Sequence, residues 1–591
     1  MKKPSRPFPS ARRAVTAGLA LALAISCGTP ALIAHAEDAE QGTITINQVT
    51  GNETTFTAYQ IFTADLDKDG KATHIEWASD DVKDAVVGVI EEYSKADDDS
   101  EDEGSSPTVD YTIAQNAAEY IVRAVSSTED SSNSTSAFRV LGGFGTDLAA
   151  AMKGITSSGT VKSGTASSFD EGFYLFLTDA STVSDNEVAT SPIYAAMNKD
   201  KAVTVTEKAS LPTIEKTVVD DDGTEDAQQA DANVGQDLSY KLVGHMPDNI
   251  DSFAAYSYTI TDTMTNLELS SLDDVTITVT GTVGDGDDTT TVTADITSQC
   301  STSYADSVLT VKVDDLKDLT YTVTTGVQDD KDDDTAKSAS ITMPITIDKD
   351  SLVTVTYKAH LTTSAAVGET GNKNSVTVTY PVDPTQDPAS ATTGTSTATS
   401  INTYAYKIAL TKVDKANQGT GLAGAKYTVT EDASGKYVQA DGSLGDTAHE
   451  FVTDSDGNIG VSGIDAGSYT IKETTAPDGY ELQDADIKVT ITPTYENGAV
   501  KSVTATVSGG EGDAVDSNSD GLVESGTGVT AIDASIGTIS VRATDDKMVT
   551  LPLTGMSGNT AIYVIGGTIV AISLVGIAKS RRDEDGAAEQ K

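Results

Sequence analysis

Lys412 and Glu473 are two residues of this chain whose types and spacing suggest covalent chemistry. Because side chains alternate between the two faces of a β-strand, Lys412 shares a face with Leu410, and Glu473 shares one with Ile471. Both charged groups therefore point toward an apolar interior, where an unpaired charge is costly. Burial favours a neutral amine and a neutral acid, and such an amine can attack a side-chain carbonyl that the acid polarises. The pattern predicts a lysine–asparagine or lysine–aspartate isopeptide bond, with a buried ion pair as the alternative.

A second set of such side chains comprises Lys216, Asp262 and Asn374. Each shares its strand face with apolar neighbours: Lys216 with Ile214 and Val218, Asp262 with Tyr258 and Ile260, and Asn374 with Val376 and Val378. The same chemistry is therefore open to this set. The alternative is a surface lysine accompanied by ordinary turn residues.

Short alternating segments rich in Val, Thr, Ile and Tyr are the elements that must position these residues. They predict a mainly β protein of tandem Ig-like β-sandwiches. Examples are Asp274–Val283, Val353–His360, Ser375–Tyr380 and Val503–Val507. Helical patterns occur only early, over Asp81–Ser94, Ile113–Val125 and Gly145–Met152, so the N-terminal domain is expected to carry some helix.

Composition shifts divide the chain into domains. At about 150 residues per domain, 591 residues suggest roughly four units. The acidic stretch 97–104 indicates an exposed loop, and the Thr/Ser/Ala-rich stretch 389–400 indicates a boundary. We therefore expect an N-terminal domain at 43–207, a middle domain at 208–388 and a last domain at 401–547.

The charge balance excludes several classes of protein. With 39 basic and 90 acidic residues the net charge is −51, which repels phosphate backbones and argues against a nucleic-acid partner. Two cysteines, Cys27 and Cys300, cannot form a disulfide framework, and five histidines make a His-built metal or acid–base site improbable. We expect no cofactor and no resident metal, and no catalytic triad, phosphate loop or zinc motif stands out.

The N-terminus has the features of a secretory signal at 1–36. A basic start precedes an apolar run over 14–25, and Ala34-His35-Ala36 then predicts cleavage before Glu37. The alternative, a membrane anchor, is weaker because residues 28–30 interrupt the apolar run. A poor lipoprotein box around Cys27 is a further alternative.

The C-terminus has three parts at 551–591: Leu551-Pro552-Leu553-Thr554-Gly555, an apolar stretch at 561–578 long enough to span a bilayer, and a basic tail. A plain single-span anchor is the simple interpretation. The order of the parts, however, resembles the cell-wall sorting signal of Gram-positive surface proteins. That resemblance implies that a sortase cleaves between Thr554 and Gly555 and passes the Thr554 carbonyl to an amine, such as that of a peptidoglycan precursor.

Two internal regions resemble modules of sortase-assembled Gram-positive pilins. Lys412–Asp414, Gly421–Tyr427 and Tyr469–Tyr480 resemble the collagen-adhesin B-type module with its E-box. Leu211–Val218, Tyr258–Met264 and Asn374–Tyr380 resemble the isopeptide-forming domain of backbone pilins. The resemblance implies spontaneous cross-links. In the middle domain it makes Lys216 the nucleophile, Asn374 the acceptor and Asp262 the proton shuttle; in the last domain it makes Glu473 the shuttle.

The acceptor for Lys412 is expected on the last strand of its domain. In the family it lies inward on the final strand, here Ile539–Asp545. Asp545 has the correct parity and lies six residues before Leu551, so the sequence predicts a Lys412–Asp545 bond. Ala543 occupies a second plausible acceptor position, and alanine cannot react.

Pilus growth also needs an exposed lysine that takes the acyl group of another subunit. In backbone pilins it lies in a Val-x-Val-Tyr-Pro-Lys-Asn-like motif, which corresponds here to Val203–Pro212, where Lys208 takes the lysine position. The flanking Tyr-Pro and Asn of the motif are replaced, so Lys199 and Lys201 remain alternatives.

A calcium-loop-like pattern runs from Asp65 to Glu76. Its flanks have strand character rather than the two helices that such a loop joins. We therefore predict a hairpin turn without bound metal.

The sequence as a whole predicts a secreted, sortase-processed structural subunit, the backbone, of a cell-wall-anchored pilus that serves adhesion. Its expected partners are sortase, neighbouring pilin subunits and the peptidoglycan precursor, with the host ligand unknown. The alternatives are a monomeric or accessory wall-anchored adhesin and, in a different class, a wall-anchored hydrolase. The protein is not expected to be an enzyme beyond its self-directed cross-linking.

Overall fold

The computed structural model describes residues 41–47, 54–67, 70–94, 109–125, 144–183, 189–190, 192–206, 210–220, 223, 227–284, 289–325, 339–384, 386, 391–483, 485–509, 529–532 and 537–549. The predicted signal peptide, the acidic stretch 97–104, Lys208, the sorting motif with Thr554 and Gly555, and the span 561–578 all lie outside these ranges. Within them, no helix is both long enough and apolar enough to cross a membrane.

The described chain forms three bodies, here called the first (41–206), middle (213–404) and last (406–545) body. The first body contains strands β1 Gln41–Asn47, β2 Thr55–Leu66, β3 Ala72–Trp77, β4 Gly159–Lys162, β5 Ser167–Asp170, β6 Gly172–Thr178, β7 Ile193–Met197 and β8 Ala202–Thr206, and helices α1 Asp80–Ser94, α2 Ala114–Val125 and α3 Phe144–Lys153. The middle body contains β9 Thr213–Val219, β10 Gln229–Asp231, β11 Leu238–His245, β12 Tyr258–Met264, β13 Leu267–Leu269, β14 Thr276–Val283, β15 Thr290–Asp295, β16 Ser301–Ala305, β17 Val308–Val313, β18 Thr320–Thr325, β19 Ala339–Pro344, β20 Leu352–Leu361, β21 Asn372–Pro381, β22 Thr393–Thr395 and β23 Thr399–Tyr404. The last body contains β24 Tyr406–Asp414, β25 Asn417–Gly421, β26 Lys426–Glu431, β27 Tyr437–Val438, β28 Leu444–Gly445, β29 Phe451–Val452, β30 Asn458–Ile464, β31 Gly467–Thr475, β32 Ile487–Glu496, β33 Ala499–Gly509, β34 Val529–Ile532 and β35 Thr538–Asp545.

The first body packs a sheet against three helices on one side and a smaller sheet on the other. Alternation along β2 sends Ile61 toward the helices and Phe56 toward the small sheet β5-β1-β8, so each face has its own apolar cluster. The three helices lie where the sequence predicts them. The calcium-like segment is the turn of the antiparallel β2–β3 hairpin, as predicted, and Gly70 N–H donates to the Asp67 carbonyl at 2.9 Å.

The middle body is a β-sandwich. One sheet runs β10-β23-β21-β12-β17-β16 with β22 beside β21, and the facing sheet runs β15-β14-β20-β11-β9 with β13 beside β20. Apolar side chains of both sheets form one buried cluster, which is why their strands alternate so regularly. The stretch 389–400, expected to mark a boundary, contributes β22 and the start of β23 to this sandwich.

The last body is a second sandwich. Its small sheet places β24 between β25 and β30 and also pairs β24 with β35; its large sheet runs β28-β27-β26-β31-β32-β33-β34 with β29 beside β26. The first and last strands, β24 and β35, run parallel, with Ile408 opposite Ile539. The mainly β class with tandem sandwiches, and the helices of the N-terminal part, are confirmed.

Ala405 alone separates the end of β23 in the middle body from the start of β24 in the last body. Around this junction, Asn233 donates to Glu431 Oε1 at 3.0 Å and accepts from the Asp465 N–H at 3.2 Å. The backbone N–H of Val234 donates to the Gly463 carbonyl at 2.9 Å. The strand that ends the middle sandwich thus leads directly into the strand that carries Lys412.

Candidate functional site

Three strands bring the middle set of reactive residues together. Lys216 lies on β9 of one sheet, whereas Asp262 on β12 and Asn374 on β21 belong to the facing sheet. Strands β12 and β21 are paired with Asp262 opposite Val376, so Asn374 is a diagonal neighbour of the acid on the same face. The exposed fractions of Lys216, Asp262 and Asn374 are 1%, 0% and 0%.

The contacts of this middle cluster form a chain of hydrogen bonds. Lys216 Nζ donates to Asp262 Oδ1. The Tyr357 hydroxyl donates to Asp262 Oδ2 and accepts from Asn374 Nδ2 at 2.8 Å. Asn374 Oδ1 has no hydrogen-bond partner among the described residues. An amine, a carboxyl group and a carboxamide are therefore linked through the Tyr357 hydroxyl in one buried site.

Burial sets the electrostatics of the middle cluster. Loss of hydration lowers the pKa of Lys216 to about 8, although the neighbouring Asp262 carboxylate acts in the opposite direction. Lys216 Nζ lies 5.6 Å from the ring centroid of Tyr240 and 5.9 Å from that of Tyr357. These two rings stack on each other with their centroids 5.3 Å apart. Burial also raises the pKa of Tyr357 well above its ordinary value. The lowered pKa raises the neutral fraction of the amine near neutral pH above that of an exposed lysine, as a nucleophile requires.

The last set of reactive residues is assembled differently. Lys412 on β24 and Asp545 on β35 belong to neighbouring parallel strands, and Glu473 is on β31 of the facing sheet. Lys412 is opposite Ala543 in the register, and its long side chain reaches the aspartate two positions further along. The exposed fractions of Lys412, Glu473 and Asp545 are 0%, 5% and 3%.

Both carboxyl groups of this last cluster contact the amine. Lys412 Nζ donates to Asp545 Oδ1 and lies 3.0 Å from Glu473 Oε1. Glu473 Oε2 accepts from the Gln483 backbone N–H at 2.9 Å, which fixes the acid. The ring centroid of Tyr427 is 5.6 Å from Lys412 Nζ. Burial raises the pKa of Asp545 to about 6 against the opposing effect of Lys412, so this acceptor holds a proton more readily than an exposed aspartate.

The six residues whose inward faces alternation predicted are all buried, but the sequence motifs assign no role to the tyrosines beside them. The Tyr357 hydroxyl contacts Asp262 and Asn374. The Tyr240 ring lies beside the Lys216 amine, and the Tyr427 ring lies beside the Lys412 amine. The signal was available, because Tyr357 alternates inward in the segment Val353–His360. An aromatic residue in such a strand is ordinary core, which hides its hydroxyl chemistry.

The candidate lysines for polymerisation are not part of either cluster. Lys208 lies outside the described residues. Lys199 is exposed, with its Nζ 3.7 Å from Glu171, and Lys201 is half-buried. No lysine of the first body's described part is buried, so the two clusters belong to the middle and last bodies.

The described residues contain no group of three or more histidine, cysteine, aspartate or glutamate side chains arranged to hold a metal. The two clusters have the donors and acceptors for amide formation rather than for metal binding.

Two family models match this chain. Residues 406–507 match the SpaA prealbumin-like fold domain, and residues 543–586 match the LPXTG cell wall anchor motif. Both matches confirm resemblances that the motifs indicated. The chain thus carries a Gram-positive cell-wall anchor and is a cell-wall-attached surface protein.

Three comparisons show known proteins that are similar to parts of the chain. The trypsin-resistant surface T6 protein of Streptococcus pyogenes serotype M6 is 32% identical over 166 residues, which are 26% of this chain and 28% of that protein. The structure of the T6 backbone pilin covers 87% of this chain and all of its own, with 17% identity and a TM-score of 0.48. The major pilin SpaA of Corynebacterium diphtheriae covers 86% of this chain and all of its own, with 15% identity and a TM-score of 0.36.

Proposed function

We propose that this protein is the backbone subunit of a covalently polymerised, wall-anchored pilus and that intramolecular isopeptide bonds stabilise it. The anchor motif, the prealbumin-like domain and the partial identity to the T6 surface protein support the pilus assignment. The observation that carries the proposal is the presence of two buried lysines, each in contact with a carboxyl group beside an acceptor.

In the middle cluster the proposed reaction is transamidation. Asp262 takes one proton from the Lys216 ammonium through the hydrogen bond that joins them. The neutral Nζ then attacks Cγ of Asn374, the Nζ–Cγ bond forms, and the Cγ–Nδ2 bond breaks. One ammonia leaves for each Lys216–Asn374 bond formed.

In the last cluster the proposed reaction is a condensation. Lys412 attacks Cγ of Asp545, and Glu473, held by Gln483, exchanges protons with the amine. A carboxylic acid is a much better acceptor than a carboxylate, and burial favours that form of Asp545. One water leaves for each Lys412–Asp545 bond.

Assembly needs two further groups. Sortase would form an acyl enzyme at Thr554 and release the segment that begins at Gly555. Lys208 of the next subunit, or Lys199 or Lys201, would then accept the acyl group. The final subunit would instead be joined to a peptidoglycan precursor. An adhesive role, in the pilus or as an accessory subunit, is proposed without a specific host ligand.

The intact mass of the 37–554 segment tests the cross-links. We expect a deficit of one ammonia plus one water. Lys216→Ala should remove only the ammonia deficit, and Lys412→Ala should remove only the water deficit. Asp262→Ala and Glu473→Ala test the acid at the middle and last sites in the same way. A measured mass of the parent segment equal to the mass calculated from its sequence contradicts both bonds.

Cell-wall extracts test the assembly. A backbone subunit gives a ladder of covalent multimers that collapses to one band when the polymerising lysine is replaced. A single wall-linked band in the parent strain, with the mass deficits intact, supports the alternative of a monomeric or accessory adhesin.

A further inference from the structure

Tyr357 joins the two ends of the middle cluster, and the sequence motif assigns it no role. Its hydroxyl has one proton, which it donates to Asp262 Oδ2. The same oxygen must therefore act as acceptor toward Asn374, which fixes the carboxamide with Nδ2 toward Tyr357, 2.8 Å away. This orientation leaves Asn374 Oδ1 without a hydrogen-bond partner among the described residues.

The resulting hydrogen-bond path begins at the nucleophile and ends at the leaving group. It runs from Lys216 Nζ to Asp262 Oδ1, from Asp262 Oδ2 to the Tyr357 oxygen, and from there to Asn374 Nδ2. All four side chains are buried, so bulk water is excluded from the path. An amide nitrogen is a poor leaving group unless it gains a proton. The Tyr357 hydroxyl contacts both this nitrogen and the Asp262 carboxyl group, which can resupply the proton.

We propose that Tyr357 is a catalytic residue of cross-link formation, the general acid that protonates the departing Asn374 nitrogen. This inference rests on the proposed isopeptide function. Once Lys216 has passed its first proton to Asp262, the neutral amine forms the Nζ–Cγ bond. As the Cγ–Nδ2 bond breaks, Nδ2 takes the phenolic proton. Tyr357 regains a proton from Asp262, and Asp262 takes the second Nζ proton. Tyr357 and Asp262 therefore have the same protonation states after this step as before it, and one ammonia is released.

The phenol suits this relay only because Asp262 is beside it. Burial and the Asp262 charge raise the pKa of Tyr357, so the phenol keeps its proton until the tetrahedral intermediate makes Nδ2 basic. The ring is held by stacking on Tyr240, whose hydroxyl bonds to Thr403 Oγ1 at 2.7 Å. Tyr357→Phe therefore removes the proton donor while it keeps the ring and its stacking.

Kinetics of bond formation in the full chain test the relay. The chain is synthesised in a short cell-free pulse, synthesis is stopped, and the ammonia and water deficits are followed by mass spectrometry. Removal of a general acid slows a reaction by on the order of 100-fold, so Tyr357→Phe is expected to lengthen the half-time of ammonia loss by that factor. Water loss at Lys412–Asp545 in the same molecules should keep its parent half-time.

Tyr258→Phe is the matched control. Tyr258 is a buried tyrosine of the same sandwich, and its hydroxyl has no hydrogen-bond partner among the described residues. This variant should lose ammonia at the parent rate. Equal half-times for Tyr357→Phe and the parent overturn the relay, and so does a delay of both deficits, which indicates slow folding. If the parent chain itself loses no ammonia, the proposed cross-link fails, and that outcome is visible without any tyrosine variant.

Asn374→Asp distinguishes proton delivery from simple packing. With an aspartic acid as acceptor, the departing oxygen brings its own proton, so Tyr357→Phe should slow water loss at this site by less than about tenfold. A packing role predicts the same penalty in both backgrounds, and that result overturns proton delivery to Nδ2.

Discussion

In the middle cluster the lysine and its proposed acceptor lie on opposite sheets of a sandwich. In the last cluster the lysine and its proposed acceptor lie on neighbouring strands of one sheet. Lys216 faces its acceptor across the core, and Lys412 lies beside the strand of Asp545. In both, the acid is supplied by the sheet opposite the lysine. Both clusters therefore share an acid across the core from the amine, whereas the position of the proposed acceptor differs between them.

In the reactions proposed above, the two clusters also differ in the group that must leave. Asn374 must lose a nitrogen, and a tyrosine hydroxyl contacts that nitrogen. Asp545 must lose an oxygen, and burial raises its own pKa to about 6. The comparison teaches that the source of the leaving-group proton follows the chemistry of the acceptor: an amide needs a donor, whereas an acid carries its proton.

The largest expected effect comes from deleting either acceptor. The proposed bonds would close loops from 216 to 374 and from 412 to 545, a difference of 158 and 133 positions. Loops of this length each stabilise by about 5 kcal/mol in the chain-entropy model, so Asn374→Ala and Asp545→Ala should lower the Tm of their own bodies by roughly 10–20 °C. Calorimetry measures both transitions, and each variant serves as the other's control. An Asp545→Ala chain that keeps the parent's water deficit and Tm contradicts the last bond.

A smaller effect is expected in the pH dependence of the uncross-linked middle body. In Asn374→Ala, Lys216 keeps its folded pKa of about 8 against 10.5 for the free side chain. The unfolded chain then binds more protons between these values, so stability rises with pH by about 3 kcal/mol from pH 8 to 10.5. Urea unfolding measures this rise.

The control for that slope is Asn374→Ala combined with Lys216→Met, which lacks the titrating amine. The rise should disappear in the double variant. Identical slopes in both chains would show that the buried amine is not its source.

The last body should show the opposite slope over a lower pH range. In Glu473→Gln, which lacks the acid for bond formation, Asp545 remains a free carboxyl group with a pKa raised above the ordinary 3.8. The folded state then binds more protons, so stability falls as the pH rises from about 4 to 6. Urea unfolding across this range measures the fall. Glu473→Gln combined with Asp545→Asn should remove it, and a rise would contradict burial of a protonated acceptor.

The smallest effect is expected for Tyr427→Phe. The ring lies beside Lys412, but the proton that leaves with the Asp545 oxygen belongs to Asp545 itself. Water loss should therefore slow by no more than about threefold, far less than the loss expected for a general acid. The pulse experiment described for Tyr357 measures it. A slowing as large as that of Tyr357→Phe would remove the distinction between the two clusters.

Helical periodicity made the helices predictable from sequence, and alternation made the sandwich strands and the inward faces of both lysines predictable. Alternation could not choose between Ala543 and Asp545, because both lie on the same face of β35. The choice depends on register, since Lys412 is opposite Ala543 and only the length of its side chain brings the amine to Asp545. Register between β24 and β35 is set by strands more than a hundred residues apart, which local pattern does not encode.

Two other features escaped prediction for physical reasons. The stretch 389–400 is poor in large apolar residues, yet edge pairing to β21 recruits it into the middle sandwich. The role of Tyr357 depends on a hydroxyl contact between facing sheets, and strand periodicity reports a face without reporting which groups meet across the core.

The parallel pairing of β24 with β35 has a consequence for the length of a filament under tension. The last body is entered at Tyr406 and left after Asp545, and with the Lys412–Asp545 bond in place tension crosses only the seven residues from Tyr406 to Lys412. Residues 413–544 lie outside that path. Fully extended, they would add about 450 Å to each subunit of the proposed pilus, so the proposed bond would make the last body nearly inextensible and keep the reach of that filament constant.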